Sequence, residues 1–158
     1  MIRPFTLVAA AAALALAAAA VPAIAADAPA ADYAAALADP ARPAADRDRD
    51  AARKPAELLA FAGIEPGQSV GDYVMGGGYL TRILSGAVGA AGHVYAFQPA
   101  EFIAFRKQYG DDQSAVAAAY ANVDAVGGAF AAPAFPVPLD AIVTVQNFHD
   151  LYLKPFPE

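Results

Sequence analysis

The chain has 158 residues, a formal charge of −6, no cysteine and two histidines, and 58% of its residues are hydrophobic. That acidity argues against non-specific nucleic-acid binding, which needs clustered cations to displace counterions. The missing cysteines exclude disulfide staples, thiolate metal sites and thiol nucleophiles, and with His93 and His149 the only histidines, no metal site is expected.

Arg3 opens a short positive region, Phe5 to Val21 is a largely apolar run, and Ala23-Ile24-Ala25 follows Pro22 as a small-x-small pattern. Together they predict a cleavable signal peptide over 1–25, and therefore a periplasmic or secreted protein with no stable membrane insertion after cleavage. The run is short and alanine-rich for an uncleaved membrane span. Residues 26–43 are rich in Ala, Pro and Asp and read as a flexible linker. Residues 44–158 are then one small domain.

Asp46-Arg47-Asp48-Arg49-Asp50 alternates in sign, which predicts an exposed, solvated helix face. Pro55 suits the first turn of a further helix, with Leu58, Leu59 and Ala62 as its apolar stripe and Gly63 as its stop. Gln68 to Val74 reads as a strand, Gly76 to Gly78 as a sharp loop, and Tyr79 to Val88 as a helix with apolar residues at helical spacing. His93 to Phe97 is a second strand. Glu101 to Tyr109 is a second helix, which Ser114 to Tyr120 extends or follows as a turn. Val123 to Phe130 is a third strand, Ala132 to Pro138 a proline-rich loop, and Leu139 to Val145 a fourth strand whose apolar run suits burial on both faces. Strands alternating with helices predict a parallel α/β sheet with right-handed crossovers.

The segment Val70 to Tyr79 carries the chemistry: a strand ends on Asp72, three glycines follow, and a helix opens. Glycines let backbone turn tightly and approach a ligand closely, and open parallel sheets bind at the carboxyl ends of their strands. A dinucleotide site wants G-x-G-x-x-G spacing and a pyrophosphate at the helix start, but here the glycines are contiguous and the acid would repel a pyrophosphate. A nicotinamide-dependent oxidoreductase is therefore a weak reading. A ligand carrying an ammonium and a sulfonium, S-adenosylmethionine, suits Asp72 better.

Glu65 to Phe97 resembles the first motif of class I S-adenosylmethionine-dependent methyltransferases. The longer stretch from Arg47 to Phe156 resembles a group of exported bacterial members, whose loop reads close to D-x-G-x-G-G-G-Y and whose fourth strand closes on Q-N-x-H-D-L. This chain has Gln146-Asn147-Phe148-His149-Asp150-Leu151 there. The resemblance implies a Rossmann-like sheet and S-adenosylmethionine as cofactor, with Asp72, Gly76, Gly77 and Gly78 around its methionine end. The acid that usually holds the ribose ends the second strand. Gln98 stands in that place, and Glu101 three residues later is the weaker substitute. Asn147 and His149 would face the cofactor. His149 is then a general base or orienting group, or a histidine that caps a strand end. Tyr79 and Phe97 pack near the adenosine or belong to the core, and His93, Asp140 and Asp150 read as structural.

Two departures stand out. The first loop glycine of the group is Val74 here, where a positive φ would strain a β-branched residue. The chain also closes soon after strand four, so strands five to seven of a seven-stranded sheet are expected to be absent, leaving strand four as an edge open to self-association. The expected function is methyl transfer to an unknown acceptor, with activity in question; the alternative is a non-catalytic exported binding protein keeping half the fold.

Overall fold

The computed structural model describes residues 31–152, so the expected signal peptide lies outside the described residues. No helix among the described residues is long and apolar enough to cross a membrane.

Four short helices come first: α1 (Tyr33–Ala38), α2 (Ala44–Arg47), α3 (Asp50–Arg53) and α4 (Pro55–Phe61). The first lies inside the stretch read as a flexible linker, and that reading is corrected. Asp32 accepts a hydrogen bond from Ala35 N at 2.9 Å and caps an alanine-rich turn, a local arrangement that favours helix. Tyr33 donates its hydroxyl to Ile64 O at 2.6 Å, and Ala36 is buried against the core.

The body alternates: β1 (Ser69–Tyr73), α5 (Tyr79–Val88), β2 (His93–Pro99), α6 (Ala100–Phe105), α7 (Gln108–Ala119), β3 (Val123–Gly128) and β4 (Ala141–Val143), followed by a 3-10 turn at Phe148–Tyr152. The strands form one parallel sheet in the order β3-β2-β1-β4. In register, Asp72 of β1 stands beside Ala96 of β2 on one side and Val143 of β4 on the other. The predicted strand-helix alternation is present.

Helix α5 buries Leu80, Ile83, Leu84, Ala87 and Val88, the stripe its spacing predicts. These meet Val70, Val94 and Val143 from the sheet, with Val116 of α7 beside them. On Leu- and Ile-sized side chains such burial stabilises by about 1.5–3 kcal/mol each. The proline-rich loop covers the opposite face. A Cβ on Gly71 would lie 2.8 Å from Leu139 Cδ1 and 3.2 Å from the Phe135 ring, so only glycine lets the loop settle on β1.

Two elements differ from their sequence reading. The helix expected over Glu101 to Tyr109 breaks at Arg106, whose backbone is extended, and restarts as α7. The break lets Phe102 and Tyr109 meet edge to face, their centroids 6.0 Å apart. Strand four pairs over Ala141–Val143 only, and Ile142 is 58% exposed. It forms an edge of the sheet rather than a strand buried on both faces.

Candidate functional site

The loop after β1 is held by hydrogen bonds from three directions. Val74 N and Met75 N both donate to Phe97 O, at 3.0 and 3.1 Å. Gly76 N donates to Gln98 Oε1 at 3.0 Å, and Asn147 Nδ2 donates to Val74 O at 3.1 Å. Gly76 and Gly78 take φ of 58° and 80°, and so does Val74, at 64°. The strain anticipated for a valine in the first glycine's place is therefore present, at a cost of about 1–3 kcal/mol. Gly78 admits nothing larger: a Cβ there would lie 2.6 Å from Val116 Cγ2.

Chain connections leave β1 toward β2 and β3 on one side, whereas β4 pairs on the other. Ligands bind open α/β sheets at such a switch point, outside the carboxyl ends of the strands. A cavity of about 210 Å³ lies there. Asp72 supplies its wall from β1, Val74 and Met75 from the loop that follows, and Val145 and Gln146 from the turn after β4. Tyr79 and Leu80 close it from the start of α5. The fourth wall is the N-terminal helical arm, through Ala52, Arg53, Pro55 and Leu58.

Asp72 is 3% exposed and accepts the Thr81 hydroxyl at 2.6 Å. Burial pushes its carboxyl up to about 6, and the Thr81 hydrogen bonds offset only part of that, because desolvation disfavours the charged form. A cation in the cavity would restore what the carboxylate lacks.

The arm is fixed by charges that the sequence suggested were solvated. Arg42 is fully buried and donates to Asp50 with both terminal nitrogens, at 2.9 and 2.7 Å. That paired hydrogen bond lowers the Asp50 carboxyl, with burial opposing it. Asp46 is also buried, accepting from Arg49 and, at 2.9 Å, from Arg82 of α5. The expected exposed face is thus a docking face for Asp46 and Asp50. Tyr79 donates to Asp50 Oδ1 at 2.7 Å, and its hydroxyl is pushed up to about 12 by burial and then by that acceptor. The guanidinium carbons of Arg42, Arg49 and Arg53 lie 5.7, 4.9 and 4.7 Å from its ring centre.

Among the residues singled out from sequence, Asp72 lines the cavity. Gly76, Gly77 and Gly78 form the adjoining loop. Asn147 is spent on the loop backbone, donating to Val74 O and Val145 O. His149 lies outside the cavity lining, 76% exposed at its side chain, with Nε2 3.2 Å from Asp150. Glu101 faces elsewhere: both its oxygens accept from Phe130 N at 3.0 Å. Gln98 is instead the residue turned to the glycine loop. It is fully buried, and its Nε2 has no hydrogen-bond partner. Tyr79 belongs to the cavity wall, Phe97 to the buried aromatic cluster with Tyr73 and Phe135. Arg53, Leu58 and Gln146 were not anticipated as lining; the single signal for Gln146 was its place beside Asn147.

Solved structures share this architecture. An S-adenosylmethionine-dependent methyltransferase from Aquifex aeolicus superposes with a TM-score of 0.51 at 24% identity, over 77% of this chain and 61% of that one. The fold is Rossmann-like. Looser matches are a protein-L-isoaspartate O-methyltransferase, with a TM-score of 0.47 at 22% identity, and an S-adenosylmethionine-dependent O-methyltransferase from Thermotoga maritima, with 0.44 at 16%. Each of these two covers 58% of this chain. The chain spans 28%, 61% and 34% of the isoaspartate, Aquifex and Thermotoga enzymes respectively. No family model and no curated protein matches the sequence.

Proposed function

We propose that the cavity at the switch point binds S-adenosylmethionine and that the chain is a homologue of the methyltransferases whose fold it shares. The observation that carries this reading is Asp72: a desolvated carboxylate aimed into a cavity at the carboxyl end of β1. Such a group favours a cationic ligand, and the amino-acid end of S-adenosylmethionine supplies an ammonium.

When bound, the cofactor supplies an electrophilic sulfonium methyl. The chain's part is to orient it and to receive a proton from the acceptor. Asp72 would hold the ammonium, the Val74 to Gly78 backbone would set the distance of approach, and Asn147 would keep Val74 O in place. His149, with Nε2 toward Asp150, would leave Nδ1 to take the proton of an acceptor nucleophile.

Calorimetric titration of S-adenosylmethionine and S-adenosylhomocysteine into the purified chain tests the reading. Micromolar affinity that Asp72→Ala weakens tenfold or more supports it. Absence of binding to a chain shown to be folded refutes it. The proposed export is checked separately, by fractionating cells that express the chain and asking whether it reaches the periplasm or medium without residues 1–25.

A further inference from the structure

Two charged side chains line the cavity, and they have opposite signs: Asp72 from β1 and Arg53 from the end of α3. Their surroundings differ. Asp72 is deep and desolvated. Arg53 stands at the rim, its guanidinium 4.7 Å from the Tyr79 ring centre, donating one long 3.5 Å hydrogen bond to Gln146 Oε1.

Other arginines of this collar are committed to carboxylates. Arg42 is paired with Asp50, and Arg49 and Arg82 are paired with Asp46. Among the described residues, Arg53 has no carboxylate within ion-pair distance. The guanidinium lies over the Tyr79 ring, and its forked donors suit a planar, bidentate acceptor.

The backbone adds a second, independent observation. Among the described residues, the non-glycine positions with positive φ are Lys54 at 47°, Val74 at 64° and Gln146 at 65°. Val74 and Gln146 line the cavity, and Lys54 follows Arg53 directly. Strain of this kind persists where surrounding structure holds it, and it gathers around ligand clamps.

We infer that Arg53 is the carboxylate-recognition residue of this cavity, so that Asp72 and Arg53 together select a ligand with a zwitterionic α-amino-acid end. Arg53 then exchanges its long contact to Gln146 for a forked pair of charge-assisted hydrogen bonds to the ligand carboxylate. The arm carrying it, held by Arg42–Asp50 and Asp46–Arg82, keeps that donor at the cavity wall. This rests on the proposal that the cavity binds S-adenosylmethionine and adds how its amino-acid end is read.

The test compares two probes on the purified chain: S-adenosylhomocysteine, which carries the amino-acid end, and methylthioadenosine, which lacks it. The wild-type chain should bind S-adenosylhomocysteine at least tenfold more tightly than methylthioadenosine, since hydrogen bonds to charged groups contribute that much or more. Arg53→Met should weaken S-adenosylhomocysteine about tenfold and leave methylthioadenosine within about twofold, whereas Arg53→Lys should recover only part of the loss. Arg53 is exposed, so thermal melts of both variants should match wild type and show that folding is intact. Equal wild-type affinity for the two probes overturns the inference while leaving the cavity's function standing. An Arg53→Met loss that is equal for both probes also overturns it. Failure of both probes to bind folded wild-type chain sinks this inference and the functional reading together.

Discussion

Gly86 of α5 and Ala36 of α1 meet almost backbone to backbone: a Cβ at position 86 would lie 2.8 Å from Ala36 Cβ and 2.9 Å from its Cα. Gly86→Ala inside a helix ordinarily stabilises by about 1 kcal/mol. Here the added methyl must displace a neighbouring backbone, a clash that costs roughly 1–3 kcal/mol. We predict a net loss, seen as a lower urea midpoint with an unchanged slope. A raised midpoint would show that α1 does not sit against α5 in this way.

Asp72 gives the chain a particular pH dependence. Its folded value of about 6 lies above the ordinary 3.8, so the folded state holds the proton more tightly than the unfolded one. The stabilisation linked to that proton is fully present below pH 3.8 and is lost as pH rises through 6. It amounts to roughly 3 kcal/mol at most. Asp72→Asn removes the titration and keeps an acceptor for Thr81. The difference in melting temperature between variant and wild type should therefore shift in the variant's favour from pH 4 to pH 7. A constant difference over that range would mean that Asp72 is not desolvated.

Ligand binding should run the opposite way. An ammonium needs the ionised carboxylate, so affinity for S-adenosylhomocysteine should rise between pH 5 and pH 7 in wild type and stay flat in Asp72→Asn. Parallel titrations at both pH values decide this.

Val74 combines positive φ with burial. Val74→Gly relieves about 1–3 kcal/mol of strain, which offsets the lost apolar contact and the glycine's extra unfolded freedom. Stability should stay within about 1 kcal/mol of wild type, whereas Leu84→Ala in the core of α5 should cost about 2–5 kcal/mol. Comparable losses for the two in chemical unfolding would contradict the strained conformation of Val74.

Arg42 and Asp50 form an ion pair with one partner fully buried. Removing the acid leaves a buried guanidinium uncompensated, so Asp50→Ala should cost about 3–5 kcal/mol. Because Asp50 is lowered from 3.8, its contribution is present above that value and disappears as pH falls through the folded value. Acid unfolding of wild type and Asp50→Ala should converge at low pH.

The sheet and its crossovers were legible because their apolar periods are regular: Leu80, Ile83, Leu84 and Val88 mark α5 without reference to anything distant. The loop was legible as well, since a strand ending on Asp72 before three glycines has few other uses. The arm was not. Local charge alternation at Asp46 to Asp50 reads as a solvated face, and its burial depends on Arg42, Arg82 and Tyr79, partners 8 to 36 residues away. For the same reason Arg53 and Leu58 gave no sign that they would wall a cavity. Glu101 was chosen over Gln98 on charge type; geometry gives Gln98 to the loop and Glu101 to Phe130.

The most direct test of the account is an amide chemical-shift map of the isotope-labelled chain with and without S-adenosylhomocysteine. The account predicts perturbations gathered at Asp72 to Leu80, at Val145 to Asn147 and at Ala52 to Leu58, the walls of one cavity. Perturbations confined to other surfaces, or none at saturating ligand, would contradict the claim that the switch point between β1 and β4 is a cofactor site.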